Sequence, residues 1–231
     1  LHNRKHSFPT RRSSDLMKIK SIAIILSCLL LNAPAVFGQV IVIDEGLDNS
    51  GSTSGIAGSG KAANFSMDVG VDYTLDSIVL GFDSIDLGAN PEIPRVELWS
   101  DDGTGAPIGS LLETLTNPGT LANGANTFTS SVGTTLTAST TYWVVVTNDD
   151  GVNSGSGFGW LGGSDTVVTS DIGATHSASL FGTGDPANWS GSSSILNQIQ
   201  VNATAVPEPS AYALVAGMLP LGWMMVRRRR A

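Results

Sequence analysis

Short apolar runs broken by glycine- and aspartate-bearing turns set the tightest limit on what this chain can fold into. Residues 39–44 form the first run. Residues 74–82 put Ile78, Leu80 and Phe82 on one face, and residues 94–100 put Val96 and Leu98 on one side with Glu97 and Trp99 on the other. A period of two is that of a half-buried strand. Residues 127–129, 140–147, 165–169 and 194–201 continue the series; in the last, Ile195, Ile199 and Val201 share a face while Gln198 and Gln200 point away. The run from Tyr142 to Val146 is apolar on both faces, as a central strand covered on both sides would be. Between the runs stand Asp101-Asp102-Gly103, Asn117-Pro118-Gly119, Asn123-Gly124 and Asp149-Asp150-Gly151, where glycine supplies positive φ and Asp or Asn bonds to its own backbone. No stretch between 39 and 206 carries a long helical period, and 108–115 spells one short helical turn at most. The pattern predicts an all-β domain over residues 39–202, a two-sheet antiparallel β-sandwich of jelly-roll or Ig-like type. Its Ser/Gly-rich stretch 49–60 reads as a flexible loop and 203–206 as a linker.

Charge is unevenly placed along the 231 residues. Between Gln39 and Val206 the basic side chains are Lys61 and Arg95, against 18 Asp and Glu, a formal charge near −16. The other ten Lys and Arg fall in the first 20 residues and the last five. A middle so acidic excludes a nucleic-acid partner, which needs a basic face for phosphates. One cysteine, Cys28, excludes a disulfide framework and a Cys-based zinc site.

The two ends read as addresses. Residues 1–16 include Lys5-His6-Ser7-Phe8-Pro9-Thr10-Arg11-Arg12, matching one reading frame of a common sequencing adapter, and are expected to be an assembly artefact. From Met17, Lys18 and Lys20 precede an apolar stretch, 22–31, and small residues then offer cleavage after Gly38 or Ala35: a signal peptide over 17–38. Cys28 sits inside the apolar stretch, which argues against a lipoprotein anchor. At the other end Pro207-Glu208-Pro209 precedes an apolar segment, 211–226, and then Arg227, Arg228, Arg229 and Arg230. Sixteen helical residues reach about 24 Å, somewhat short of a ~30 Å hydrocarbon core, though flanking side chains can snorkel, and the arginines would stay on the cytoplasmic side. This order of parts, over 207–231, resembles the PEP-CTERM sorting signal of Gram-negative bacteria. The resemblance implies an exosortase-type membrane protease as partner, transient anchoring in the inner membrane, and release to the cell surface or extracellular matrix.

Val96-Glu97-Leu98-Trp99-Ser100-Asp101-Asp102-Gly103 and the later Thr140-Thr141-Tyr142-Trp143 strand resemble choice-of-anchor R domains of bacterial surface proteins, over residues 60–202. That likeness brings no catalytic residues with it.

The candidates for chemistry are few. Gly55 to Ala62 approaches a phosphate-binding loop but ends in Ala62 where a magnesium-holding hydroxyl is required, so a loop is the better reading. His176 is the single histidine of residues 39–206 and reads as a lone loop histidine. Asp101, Asp102, Asp149 and Asp150 could hold Ca²⁺ if their loops met; otherwise no cofactor is expected. Trp143 is expected in the core and Trp99 over a sheet face. Trp160 and Trp189, set among Gly and Ser, are candidates for a surface sugar platform. The expected function is that of an exported, non-catalytic surface or matrix protein associated with exopolysaccharide. A surface carbohydrate-binding module is the alternative, and a glycosidase-like enzyme the third.

Overall fold

The computed structural model describes residues 38–47, 53–56, 58–85, 93–101, 103, 109–148, 157–162, 168–176, 178–183, 185–189, 191–193 and 195–207. Its strands are β1 (Gln39–Asp44), β2 (Thr53–Ile56), β3 (Gly60–Ser66), β4 (Tyr73–Asp83), β5 (Pro94–Ser100), β6 (Leu111–Thr114), β7 (Gly124–Thr129) and β8 (Thr135–Leu136). They are followed by β9 (Thr141–Asn148), β10 (Phe158–Leu161), β11 (Ser179–Gly182), β12 (Gly191–Ser193) and β13 (Ile199–Ala205), with a 3₁₀ turn at Pro186–Asn188. Two antiparallel sheets result. In the first, β1 pairs with β13 and β13 with β4, whose other edge carries β7 and β8; β10 continues the β13 side and pairs with β2. The second runs β12-β11-β3-β9-β5-β6. The architecture is sandwich-like, as the alternation of apolar residues requires.

One core fills the space between the sheets. The first sheet sends in Ile78, Leu80, Phe82, Phe128, Ile199 and Val201; the second sends in Phe65, Val96, Leu98, Tyr142, Val144 and Val146. Phe82 meets Phe128 and Phe158 edge-on at 5.8 and 4.9 Å. These T-shaped contacts add to the burial of the rings themselves. Leu75 joins the same core although it is out of phase with Ile78, because the β4–β13 register shifts between Leu75 and Ser77. A one-residue irregularity exchanges faces, so both ends of β4 bury their apolar residues.

β1 and β5 occupy the expected residues, and β4 and β9 differ from expectation only at their ends. Elsewhere the structure corrects the sequence reading. Residues 111–114 are the edge strand β6, since β5 offers them backbone partners from Trp99 to Glu97. Part of the stretch read as a flexible loop is strand: Thr53–Ile56 pairs with β10, and Gly60 opens β3. The last strand begins at Ile199, later than expected, and runs through Ala203, Thr204 and Ala205, which pair with β4; no linker intervenes before Val206. Val206 itself donates its N–H to the Asp72 carbonyl at 2.8 Å. Of the expected strand 165–169, residues 165–167 lie outside the described residues, and Thr169 makes one antiparallel bridge to Asp44.

Each open side of the sandwich is closed by a carboxylate. On the β1 side, residues 168–176 cross from the first sheet, where Thr169 bridges Asp44, to the second, where Thr175 bridges Ser66. There the buried His176 meets Glu45. On the β7–β8 side, Glu113 of β6 reaches the 130–134 connection of the first sheet.

Candidate functional site

Pro207 closes the described region; Glu208, Pro209, the apolar segment 211–226 and Arg227 to Arg230 lie outside the described residues. Among the described residues no helix is long and apolar enough to cross a membrane. Trp160 and Trp189 are both buried, which removes them as a ready surface platform. Trp160 stands in the core between the sheets and donates its indole N–H to the Gln198 carbonyl at 2.8 Å. The glycine beside it marks close packing: a Cβ on Gly159 would run into Thr53.

Of the four calcium candidates, Asp101 is the one among the described residues. Asp101 follows β5 and donates its N–H to Thr141, at the start of β9, while its own carboxylate accepts from Gly103 N at 3.0 Å in a local turn. Asp102, Asp149 and Asp150 lie outside the described residues. Among the described residues no group of three His, Cys, Asp or Glu side chains could hold a metal ion.

Sequence reasoning missed what the carboxylates do instead. Glu45 Oε1 lies 2.6 Å from His176 Nδ1, with both side chains wholly buried. His176 Nε2 faces the Ala178 carbonyl at 3.2 Å. A carbonyl only accepts, so the hydrogen bond there is one that Nε2–H donates. Glu113 accepts from Ser131 N at 2.7 Å, Val132 N at 3.0 Å, Thr134 Oγ1 at 2.7 Å and Ser130 Oγ at 2.9 Å. Burial pushes the Glu113 carboxyl up, but these donors outweigh it and hold its pKa below the ordinary value. Asp72 accepts from Ala138 N, Asp171 from Ile41 N, and Asp76 from Thr204. Lys61 Nζ stands 4.6 Å over the ring of the half-exposed Phe181, and burial lowers its pKa. These carboxylates hold segments of the fold together, and none of the bonds just named joins one carboxylate to another.

The outer face of the second sheet gathers what the sequence scattered. Cross-strand neighbours there run in three rows: Gly182, Gly60, Thr147 and Arg95; then Leu180, Ala62, Val145 and Glu97; then Asn64, Trp143 and Trp99. Ala62, Trp143, Val145, Leu180 and Trp189 form a second apolar cluster on this face, with Trp99 packed at its edge. Trp143 therefore packs on the outer face and not in the central core. The Trp189 ring lies over Gly60 and Gly182, where any Cβ would collide with it. Trp99 is satisfied: its N–H donates to Glu97 Oε2 at 2.9 Å, and Arg95 holds the other oxygen at 2.6 Å. Trp143 and Trp189 are buried with indole N–H groups that have no partner. No family model matches the chain, and neither a curated protein nor a solved structure is significantly similar to it.

Proposed function

We propose that the chain is an exported, non-catalytic protein of the cell surface or extracellular matrix, delivered by C-terminal sorting. The observation that supports this most is the order Pro207-Glu208-Pro209, apolar 211–226, Arg227 to Arg230, which resembles a PEP-CTERM signal. In this proposal residues 17–38 direct export and 211–226 anchor the chain transiently in the inner membrane. An exosortase-type protease then cuts near Pro207-Glu208-Pro209. The domain between them would be a jelly-roll or Ig-like sandwich akin to choice-of-anchor R domains, and it carries no cofactor.

Two features of the domain favour a scaffold role. Glu45, Glu97 and Glu113, the buried carboxylates named above, each stabilise a local contact, whereas a hydrolase needs a pair flanking one bond. A formal charge near −16 also keeps exported domains apart from one another and in solution until they reach their destination.

Replacing Pro207, Glu208 and Pro209 together by alanine is expected to strand the protein in the inner-membrane fraction with its tail attached. Fractionation of the host followed by immunoblotting checks this. A variant distributed like the parent chain would show that these three residues do not direct sorting.

A further inference from the structure

We infer that the exported domain begins with pyroglutamate, formed when Gln39 closes on its own side-chain amide. The inference rests on the proposed export in one respect, the cut after Gly38 that makes Gln39 the first residue. It does not depend on how the tail is processed.

The structure leaves that bond open and the sheet independent of what precedes it. Gly38 and Gln39 are both exposed, and a Cβ on Gly38 would meet nothing within 4 Å. Gln39 opens β1, where it pairs with Thr204 of β13. A cut between Gly38 and Gln39 therefore takes nothing from the β1–β13 ladder.

The reacting groups are free to meet. In an antiparallel pair a residue turns its N–H and C=O to the same side, and the side alternates along the strand. Ile41 turns both away from β13: its N–H donates to Asp171 Oδ2 at 2.9 Å, and its carbonyl accepts from Asp171 N at 2.9 Å. The register is regular from Gln39 to Ile41, so Gln39 also turns its nitrogen away from β13. The amine that the cut releases is thus not held in the ladder. Among the described residues the side-chain amide of Gln39 makes one hydrogen bond, from Nε2 to Asp76 Oδ2, exposed and 3.2 Å long. Asp76 keeps its shorter bond from Thr204 Oγ1, 2.8 Å, when that one is given up.

In the step itself the α-amine nitrogen attacks Cδ of the same residue. The new C–N bond closes a five-membered lactam, the Cδ–Nε2 bond breaks, and Nε2 leaves as ammonia with the proton that the amine gives up. No oxidant, reductant or second substrate takes part. Closure replaces a terminal ammonium by a neutral amide and leaves no free amine for an aminopeptidase outside the cell.

The full chain, expressed in its host and recovered from whichever envelope or surface fraction holds it, tests the inference. Free amines are blocked by reductive methylation at collection, so that a ring found afterwards was closed in the culture. The N-terminal peptide is then sequenced by mass spectrometry. Most molecules are expected to begin at Gln39, lighter by one ammonia and without a methylated α-amine. Gln39→Asn, whose shorter side chain cannot form the five-membered ring, should be cut alike and carry a methylated amine; should it fail to be exported, the parent chain decides alone. A methylated amine on Gln39 in most parent molecules overturns the inference and leaves the export reading standing. So does a first residue other than Gln39, such as Val36, or an equal loss of ammonia from Gln39→Asn. Residues 17–38 still attached would overturn the inference and the export reading together.

Discussion

His176→Ala should lower the stability of the domain by about 3–5 kcal/mol, because it takes from a buried carboxyl group its one partner among the described residues. Glu45 Oε2 already lacks a hydrogen bond, and Oε1 bonds to His176 Nδ1, so the substitution isolates both oxygens. For a domain of this size the loss corresponds to a melting temperature lower by about 10 °C. Glu45→Ala should cost a similar amount, since it leaves Nδ1 unpaired in the same closed space. The double substitution should cost clearly less than the two single losses added, with a coupling of about 1–3 kcal/mol. Urea unfolding of the three variants measures all of this. Additive losses would mean that each side chain acts through packing alone. The position of the pair explains the size of the effect: it ties His176, beside the Thr175–Ser66 bridge to the second sheet, to the residue that follows β1 in the first.

Glu113→Gln should cost about 2 kcal/mol at neutral pH, the range for hydrogen bonds to a charged acceptor. The amide can keep its oxygen toward the Ser131 and Val132 N–H groups, but it then puts an NH₂ where the Ser130 and Thr134 hydroxyls donate to Oε2, and it loses the charge that all four donors share. The pH dependence has a definite sign. The carboxyl of Glu113 titrates lower in the folded protein than in the unfolded chain, because its four donor groups outweigh burial. Its contribution is therefore fully present above about pH 4.3, the unfolded value, and is lost as pH falls through the lower folded value. The difference between parent and Glu113→Gln should be constant from pH 7 to about 5 and shrink at lower pH. Chemical denaturation at several pH values reads it directly. A difference that persists unchanged at the acid end would show that the charge is not what the 130–134 connection binds.

What the sequence made legible follows from where the information lies. Pro94–Ser100 and Tyr73–Asp83 alternate branched or aromatic residues with polar ones, and the alternation is set by the strand itself. β3, Gly60–Ser66, carries no such signal. Its Gly60 and Ala62 are small because an indole from Trp189, far along the chain, has to lie on this face. Trp160 was misread for the same reason: glycine neighbours suggest an exposed turn, yet Gly159 is there to let Thr53 approach. The continuation of β13 through Ala203 and Ala205 is silent because alanine fills a narrow place against β4 without advertising a strand. His176 and Glu45 are 131 positions apart, so no local pattern could join them.

The intact mass of the protein recovered from the host cell surface tests the central claim most directly. Delivery by C-terminal sorting predicts a chain that starts near Gln39 and lacks residues 211–231, with Gln39 to Val206 retained as one folded body. Surface molecules that still carry 211–231, or a protein found only in the cytoplasm with residues 17–38 attached, would contradict it.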